Sequence, residues 1–309
     1  MPAYLAIAPG SWGVEPPGDP TSPPWEQVLD EIQEAGYRFI ELGPVGYLPE
    51  DPDALRQALS AREIKLAGGY AMEAFHLEQA RETTLEVVER TCRVLAGGCA
   101  EKLVLIEALV PERARTVGRD QDAQRLDGGK LKTLVASLEA AAEIAASFGI
   151  AATFHPHAGT FVEFRDEIDT LMAELDPAAI GLCVDTGQSV IADIDPVELI
   201  EAYASRVDLL HLKDVDVEKL TEMREQKASF EQGVESGVFC PIGAGVVDFA
   251  AVAAILETIG FDGYATVEQD RLVGDPNALP DARASLSFAE QAGFEVSPGD
   301  TSKPAGAVQ

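Results

Sequence analysis

The chain has 309 residues, 46% of them hydrophobic and 25% charged, and a formal net charge of −30 at pH 7. That acidity argues against a nucleic-acid partner, which needs Lys and Arg to replace phosphate counterions, and no run of about 18 apolar residues is present to cross a membrane as a helix. The opening MPAYLAIAPG has neither a basic nor a long apolar stretch, so a cytoplasmic protein is expected, and the scattered Cys92, Cys99, Cys183 and Cys240 are expected to be reduced.

In chain order, YLAIA (residues 4–8) reads as a strand. A proline-rich turn follows, then a helix in WEQVLDEIQEAG, where Trp25, Val28, Leu29 and Ile32 share one face and Gly36 stops it. FIELG (39–43) is a second strand carrying Glu41, and DPDALRQALSARE a helix capped by Asp51 or Asp53. A third strand over 65–72 is answered by a long helix over 76–95. A fourth over 102–108 contains Glu107 and precedes an Arg- and Asp-rich loop and a helix over 131–148. AATFHPH with a helix over 167–175, GLCVD with a helix over 196–203, and VDLLHLKD are the next three units, and a charged insertion over 215–240 follows. A helix over 249–259 leads to YATVE, the eighth strand, and a helix over 281–291 comes after it.

Eight alternations at roughly 30 residues each predict an α/β fold, a single (β/α)8 barrel over residues 1–295. An open doubly wound sheet is the rival. Residues 296–309 lack the apolar side chains to pack and are expected to form a disordered tail.

GLCVDTG (181–187) organises the chemistry, because its apolar run stops at a carboxylate, Asp185. Three other runs stop on polar side chains: His155 and His157, then His211, then Glu268. In a barrel such strand ends converge on one mouth, so His155, Asp185, His211 and Glu268 are expected to hold one divalent metal ion. Two imidazoles and two carboxylates suit Mn or Co, with Zn, Fe or Mg as alternatives and Mg the least suited, since it prefers oxygen. His157 is the alternative ligand on strand five.

Lys213 follows His211 on the same strand face, either to hold a substrate oxygen or to form a salt bridge. Trp12 and Tyr70 either line the mouth or pack in the core. Glu41 and Glu107 either wall the site or form ion pairs, and His76 is expected to be structural. Asp-Thr-Gly is also the aspartic-protease signature, but that chemistry needs two acids on a β-rich fold. The GAG of PIGAGVVDF does not complete a dinucleotide loop, and GGK at 128–130 reads as a helix start rather than a phosphate loop.

Together IAPGSWG, IELGPVGYLP, HPHAGTFVE, VDTG, HLKDVD, SFEQGVESGVFCPIGAGVVDF and VEQD make the chain, to about Phe294, resemble the xylose-isomerase-like sugar phosphate isomerase/epimerase superfamily, and within it the branch of inosose dehydratases. The resemblance implies a barrel holding a divalent cation, with Asp185, His211 and Glu268 at the positions of three family ligands. Two departures stand out. His155 occupies a position where the isomerases and epimerases usually carry Glu, and Gln188 one where a substrate-contacting His is expected.

Imidazole in place of a strand-five glutamate leaves two carboxylates on the metal and one glutamate for proton transfer, which favours elimination over two-base epimerisation. Together with that substitution, the resemblance implies a metal-dependent dehydratase, a carbon–oxygen lyase acting on a cyclic polyol ketone such as 2-keto-myo-inositol. Glu268 is the expected base and His157 or Lys213 the acid, with Gln188, Trp12, Glu41 and Glu107 toward the substrate. A metal-dependent sugar or inosose isomerase or epimerase is the runner-up; a nuclease on the same barrel would want a basic groove, and a binding protein would show no turnover. A small polyol ketone or sugar is the expected partner, with neither nucleic acid nor membrane. Homo-oligomers are compatible with the insertion over 215–240, which reads as a mobile lid or a subunit contact.

Overall fold

A computed structural model describes residues 3–14 and 20–296 of the chain, so the expected tail lies, apart from Val296, outside the described residues. The first half supplies β1 (Ala3–Ile7), α1 (Trp25–Ala35), β2 (Phe39–Glu41), α2 (Pro52–Ser60), β3 (Lys65–Glu73), α3 (Arg81–Gly97), β4 (Lys102–Glu107), a single turn α4 (Pro111–Ala114) and α5 (Gly128–Ser147). Beyond it come β5 (Ala151–His155), α6 (Arg165–Glu174), β6 (Ile180–Asp185), α7 (Thr186–Ile191), α8 (Pro196–Ala202) and β7 (Val207–Leu212). The insertion forms β8 (Asp214–Val215), α9 (Val217–Glu225), α10 (Phe230–Glu235) and β9 (Phe239–Cys240), and the chain closes with α11 (Phe249–Ile259), β10 (Gly263–Val267) and α12 (Ala278–Ala292).

Eight parallel strands close a barrel in the order β1-β10-β7-β6-β5-β4-β3-β2, sealed where β1 pairs with β10 from Ala3 opposite Gly263 to Ile7 opposite Val267. The open sheet is thereby excluded. Side chains alternate along each strand. Leu5, Ile40, Leu105, Phe154, Val184, Leu210 and Ala265 face the helices in one continuous core with Val28, Leu29, Val88, Leu138 and Val252. Inward positions form layers: Phe39 between the rings of Tyr4 and Tyr264 near the strand starts, then Val104, Ile106, Cys183 and Leu209, then polar groups at the strand ends.

Local chemistry explains where the helices begin and end. Gly36, at φ +104°, turns the chain out of α1, Asp51 rather than Asp53 caps α2 by accepting from Ala54 N at 2.9 Å, and Asp127 caps α5 at Gly129 and Lys130. One expected boundary moves, and one helix outside the expected set appears. The helix expected from residue 76 starts at Arg81, after a turn that includes a single 3-10 stretch at Glu78–Ala80, and α7 follows Asp185 without a gap.

Between β7 and α11 the insertion builds its own small layer: β8 and β9 pair antiparallel, and Val215, Leu220, Met223, Phe230, Val238 and Phe239 pack on Ala114, Val117, Ala158 and Ile191. Buried Asp214 anchors it. Its Oδ1 accepts from Val215 N and Val247 N, and its Oδ2 from Gly243 N and Gly245 N, at 2.8 to 3.0 Å. A Cβ at Gly245 would collide with Asp214 Oδ1, which is why HLKD and PIGAG belong together. No helix among the described residues is long and apolar enough to cross a membrane.

Candidate active site

Asp185 is at once the last residue of β6 and the cap of α7: its Oδ1 accepts from Gln188 N at 2.8 Å, leaving Oδ2 to face the barrel mouth. Thr186 clips β6 to β7, its hydroxyl donating to Lys213 O at 2.6 Å and accepting from Lys213 N at 3.0 Å. Gly187 has no side chain because a Cβ would lie 2.6 Å from Lys213 Cβ. The Asp-Thr-Gly triplet thus sets a carboxylate and a lysine side by side on a (β/α)8 barrel, unlike the β-rich fold of an aspartic protease.

The four expected ligand residues converge. His155 Nε2 lies 3.3 Å from Asp185 Oδ2, and His211 Nδ1 lies 3.1 Å from Glu268 Oε2 and 3.9 Å from Asp185 Oδ2. The rings of His155 and His211 meet edge to face at 4.8 Å. Behind them, His211 Nε2 is 3.0 Å from Glu41 Oε1, an oxygen that also accepts from Thr266 Oγ1 at 2.7 Å. A histidine that gives one N–H to a carboxylate presents its other nitrogen as a ligand, and here that nitrogen is His211 Nδ1. Both ring nitrogens of His155 and Nδ1 of His211 are buried without a hydrogen-bond partner.

Charge favours a cation as well. Asp185, Glu268 and Asp270 surround one ammonium, Lys213, at 3.1, 2.6 and 3.3 Å, and a fourth carboxylate, Glu41, stands behind His211. Burial pushes the Asp185 and Glu268 carboxyls up, but Lys213 and the imidazoles outweigh it and hold both below the usual range. Burial likewise opposes the charged forms of Lys213 and His211, yet the carboxylates raise Lys213 well above its ordinary value and His211 to about 10. His155 is lowered, chiefly by burial. Unpartnered nitrogens facing carboxylate oxygens in an acidic pocket suit a divalent cation.

Much of this cluster lines a cavity of about 270 Å³. Its polar lining includes His155, His157, His211, Lys213, Glu268, Asp270 and Arg271, and its apolar lining Met72, Ile106, Leu109, Val234, Leu272 and the Phe230 ring. Tyr70 is in the wall too, and α10 of the insertion contributes Phe230, Glu231, Val234 and Glu235.

The four residues expected toward the substrate do not line this cavity. Trp12 donates to Glu31 at 2.7 Å on the outer side, Glu41 backs His211, and Glu107 is bound to His76 at 2.7 Å. Gln188 takes Ala158 N on its oxygen and points its amide nitrogen at His157 Nε2, 3.1 Å away. Since a carbonyl only accepts, His157 Nδ1 must donate to Ala158 O at 2.8 Å, so Nε2 accepts from Gln188. Burial lowers His157 to about 3. With Nδ1 donating to Ala158 O and Nε2 facing Gln188, both of its ring nitrogens are engaged by the protein. Asp270 escaped the sequence reading, although it lies two residues past Glu268, the spacing that singled out Lys213 after His211, and β10 ends before both acids at Val267.

The chain matches the xylose isomerase-like TIM barrel family over residues 29–292. It is 33% identical over 280 residues to the inosose dehydratase of Geobacillus kaustophilus, a match spanning 89% of this chain and 90% of the relative. Among solved structures it is similar to the D-allulose 3-epimerase of Methylomonas sp. (TM-score 0.69, 16% identity, 94% and 98% of the two chains). It is similar also to an "IOLI protein with a binding zinc atom" (TM-score 0.68, 17% identity, 94% and 96%). At such identities these last two likenesses speak for the fold alone.

Proposed function

Because the chain belongs to the xylose isomerase-like TIM barrel family, and within it to the inosose dehydratases, we propose that it is a metal-dependent lyase that removes water from 2-keto-myo-inositol or a closely related cyclic polyol ketone. The observation that carries the metal half of this reading is the set of buried, unpartnered nitrogens of His155 and His211 facing Asp185 and Glu268.

His155, Asp185, His211 and Glu268 would hold the ion, with Mn or Co best suited to mixed nitrogen and oxygen donors. Such an ion supplies Lewis acidity for the ketone oxygen. Glu268 takes the proton from the carbon beside the ketone, and Lys213, adjacent to it, donates to the hydroxyl that departs from the next carbon. One proton and one hydroxyl leave, so a molecule of water is lost. The apolar wall of Phe230, Leu109 and Leu272 covers the ring and keeps bulk water from returning a proton to the same carbon. Two-base epimerisation would need a second carboxylate across the ring, and β5 supplies the His155 imidazole instead.

Mass spectrometry of products from metal-reconstituted protein and inosose tests the reading. Loss of water is expected. A product of unchanged mass would replace the dehydratase by an isomerase or epimerase.

A further inference from the structure

We infer that Lys213 is the resident counter-ion of this site: its ammonium holds the oxygens that a divalent cation takes, and Asp270 is the carboxylate that receives it when the cation arrives. The inference rests on the ligand assignment above but not on the identity of the substrate.

Asp185 has one free oxygen. Its Oδ1 is committed to Gln188 N, so Oδ2 must serve His155 at 3.3 Å, Lys213 at 3.1 Å and any metal. Glu268 Oε2 is shared in the same way between His211 at 3.1 Å and Lys213 at 2.6 Å. An ammonium and a divalent ion cannot both hold these two oxygens at contact distance, since like charges so close repel strongly in a buried site.

The lysine cannot simply swing into solvent. Its backbone is clipped at both N and O by Thr186, its Cβ rests on Gly187, its ammonium lies 5.8 Å from the Phe239 ring centroid, and the residue is 2% exposed. Asp270 Oδ1, at 3.3 Å, is its third carboxylate partner and no proposed ligand. A short movement of Nζ toward Asp270 vacates Asp185 and Glu268 while the charge stays paired. Metal-free protein thus keeps its acids neutralised, and loaded protein presents the ammonium on the cavity wall beside the ion.

The test measures Co²⁺ and Mn²⁺ dissociation constants by calorimetry on the full-length parent, Lys213→Met and Asp270→Asn, with thermal midpoints of the metal-free and loaded forms. Lys213→Met should bind metal at least about tenfold more tightly, the low end for close charge pairs, while its metal-free midpoint falls. Asp270→Asn should bind more weakly. A lysine that only packs the wall would, on removal, leave affinity unchanged or loosen the ligands and weaken it; either result for Lys213→Met overturns the inference. If Lys213→Met does not fold, Asp270→Asn decides, and unchanged metal affinity there overturns it. Asp185→Ala, run alongside, separates the two readings, because retained metal binding in that variant would instead sink the ligand assignment.

Discussion

Two groups of buried histidines and carboxylates sit at strand ends, and they differ in what is left over. Beside β3 and β4, His76 Nδ1 meets Glu107 Oε1 at 2.7 Å, the other oxygen accepts from His76 N at 3.2 Å, and Ala108 N adds a further bond at 3.1 Å. The His76 ring then packs edge-on against Phe161. That cluster is closed. At β5, β6, β7 and β10, by contrast, three imidazole nitrogens make no hydrogen bond, two of them beside carboxylates, and an ammonium is shared among three acids. A surplus of unsatisfied groups, rather than the residue types, distinguishes a place that can take a ligand from one that is finished.

The sharpest way to break this contrast is to remove a ligand from the open cluster. Asp185→Ala or His211→Ala should abolish both metal binding and turnover, whereas Glu107→Ala should retain about one ion per chain after dialysis, the stoichiometry expected of one site. Metal retained by the first two, or lost by the third, would erase the distinction. Next in size is Glu41→Gln, which removes the acceptor that orients His211 and should weaken metal binding by roughly 10- to 100-fold; unchanged calorimetric affinity would make Glu41 a bystander.

His155→Glu should keep the metal, cut dehydration several-fold, shift preference toward Mg or Mn, and admit proton exchange at the substrate carbon, measured as deuterium uptake. A variant that dehydrates as fast as the parent with each metal would remove His155 from the choice of reaction. Smallest for the site, and informative for that reason, is Glu107→Gln: a loss of about 1–3 kcal/mol of stability in denaturant titration, with metal affinity unaltered. A drop in affinity would join the two clusters into one network.

Much of this was legible in the residues. Eight apolar runs alternating with amphipathic helices gave the barrel, and inward alternation brought His155, Asp185, His211 and Glu268 to one mouth. Depth was harder to read. Period-two spacing says which way a side chain faces but not which layer it occupies, so Glu41 was open to being wall or ion pair, and it stands behind His211 as an ion pair. Gln188 was read as a substrate contact because of what it replaces, and its neighbour in space, His157, lies thirty-one positions away. The early end of the helix expected from residue 76 hid in a turn that has no proline or glycine to mark it, and α7 was obscured because Asp185 serves strand and helix together.

The insertion leaves the barrel at Asp214 and returns opposite it at Cys240, with both ends tied to the same carboxylate through Val215, Gly243 and Gly245. Its two termini are therefore neighbours, and the span between them behaves as a cassette. Lengthening, trimming or exchanging it changes the closure entropy only slightly and leaves the register of β7 and β10 alone, while Phe230, Val234 and Glu235 travel with the exchanged piece. One part of the cavity lining, that of α10, is therefore carried by a stretch of chain separable from the strand ends that hold His155, Asp185, His211 and Glu268, so the shape of the cavity can change through the cassette while the cluster at the strand ends stays in place.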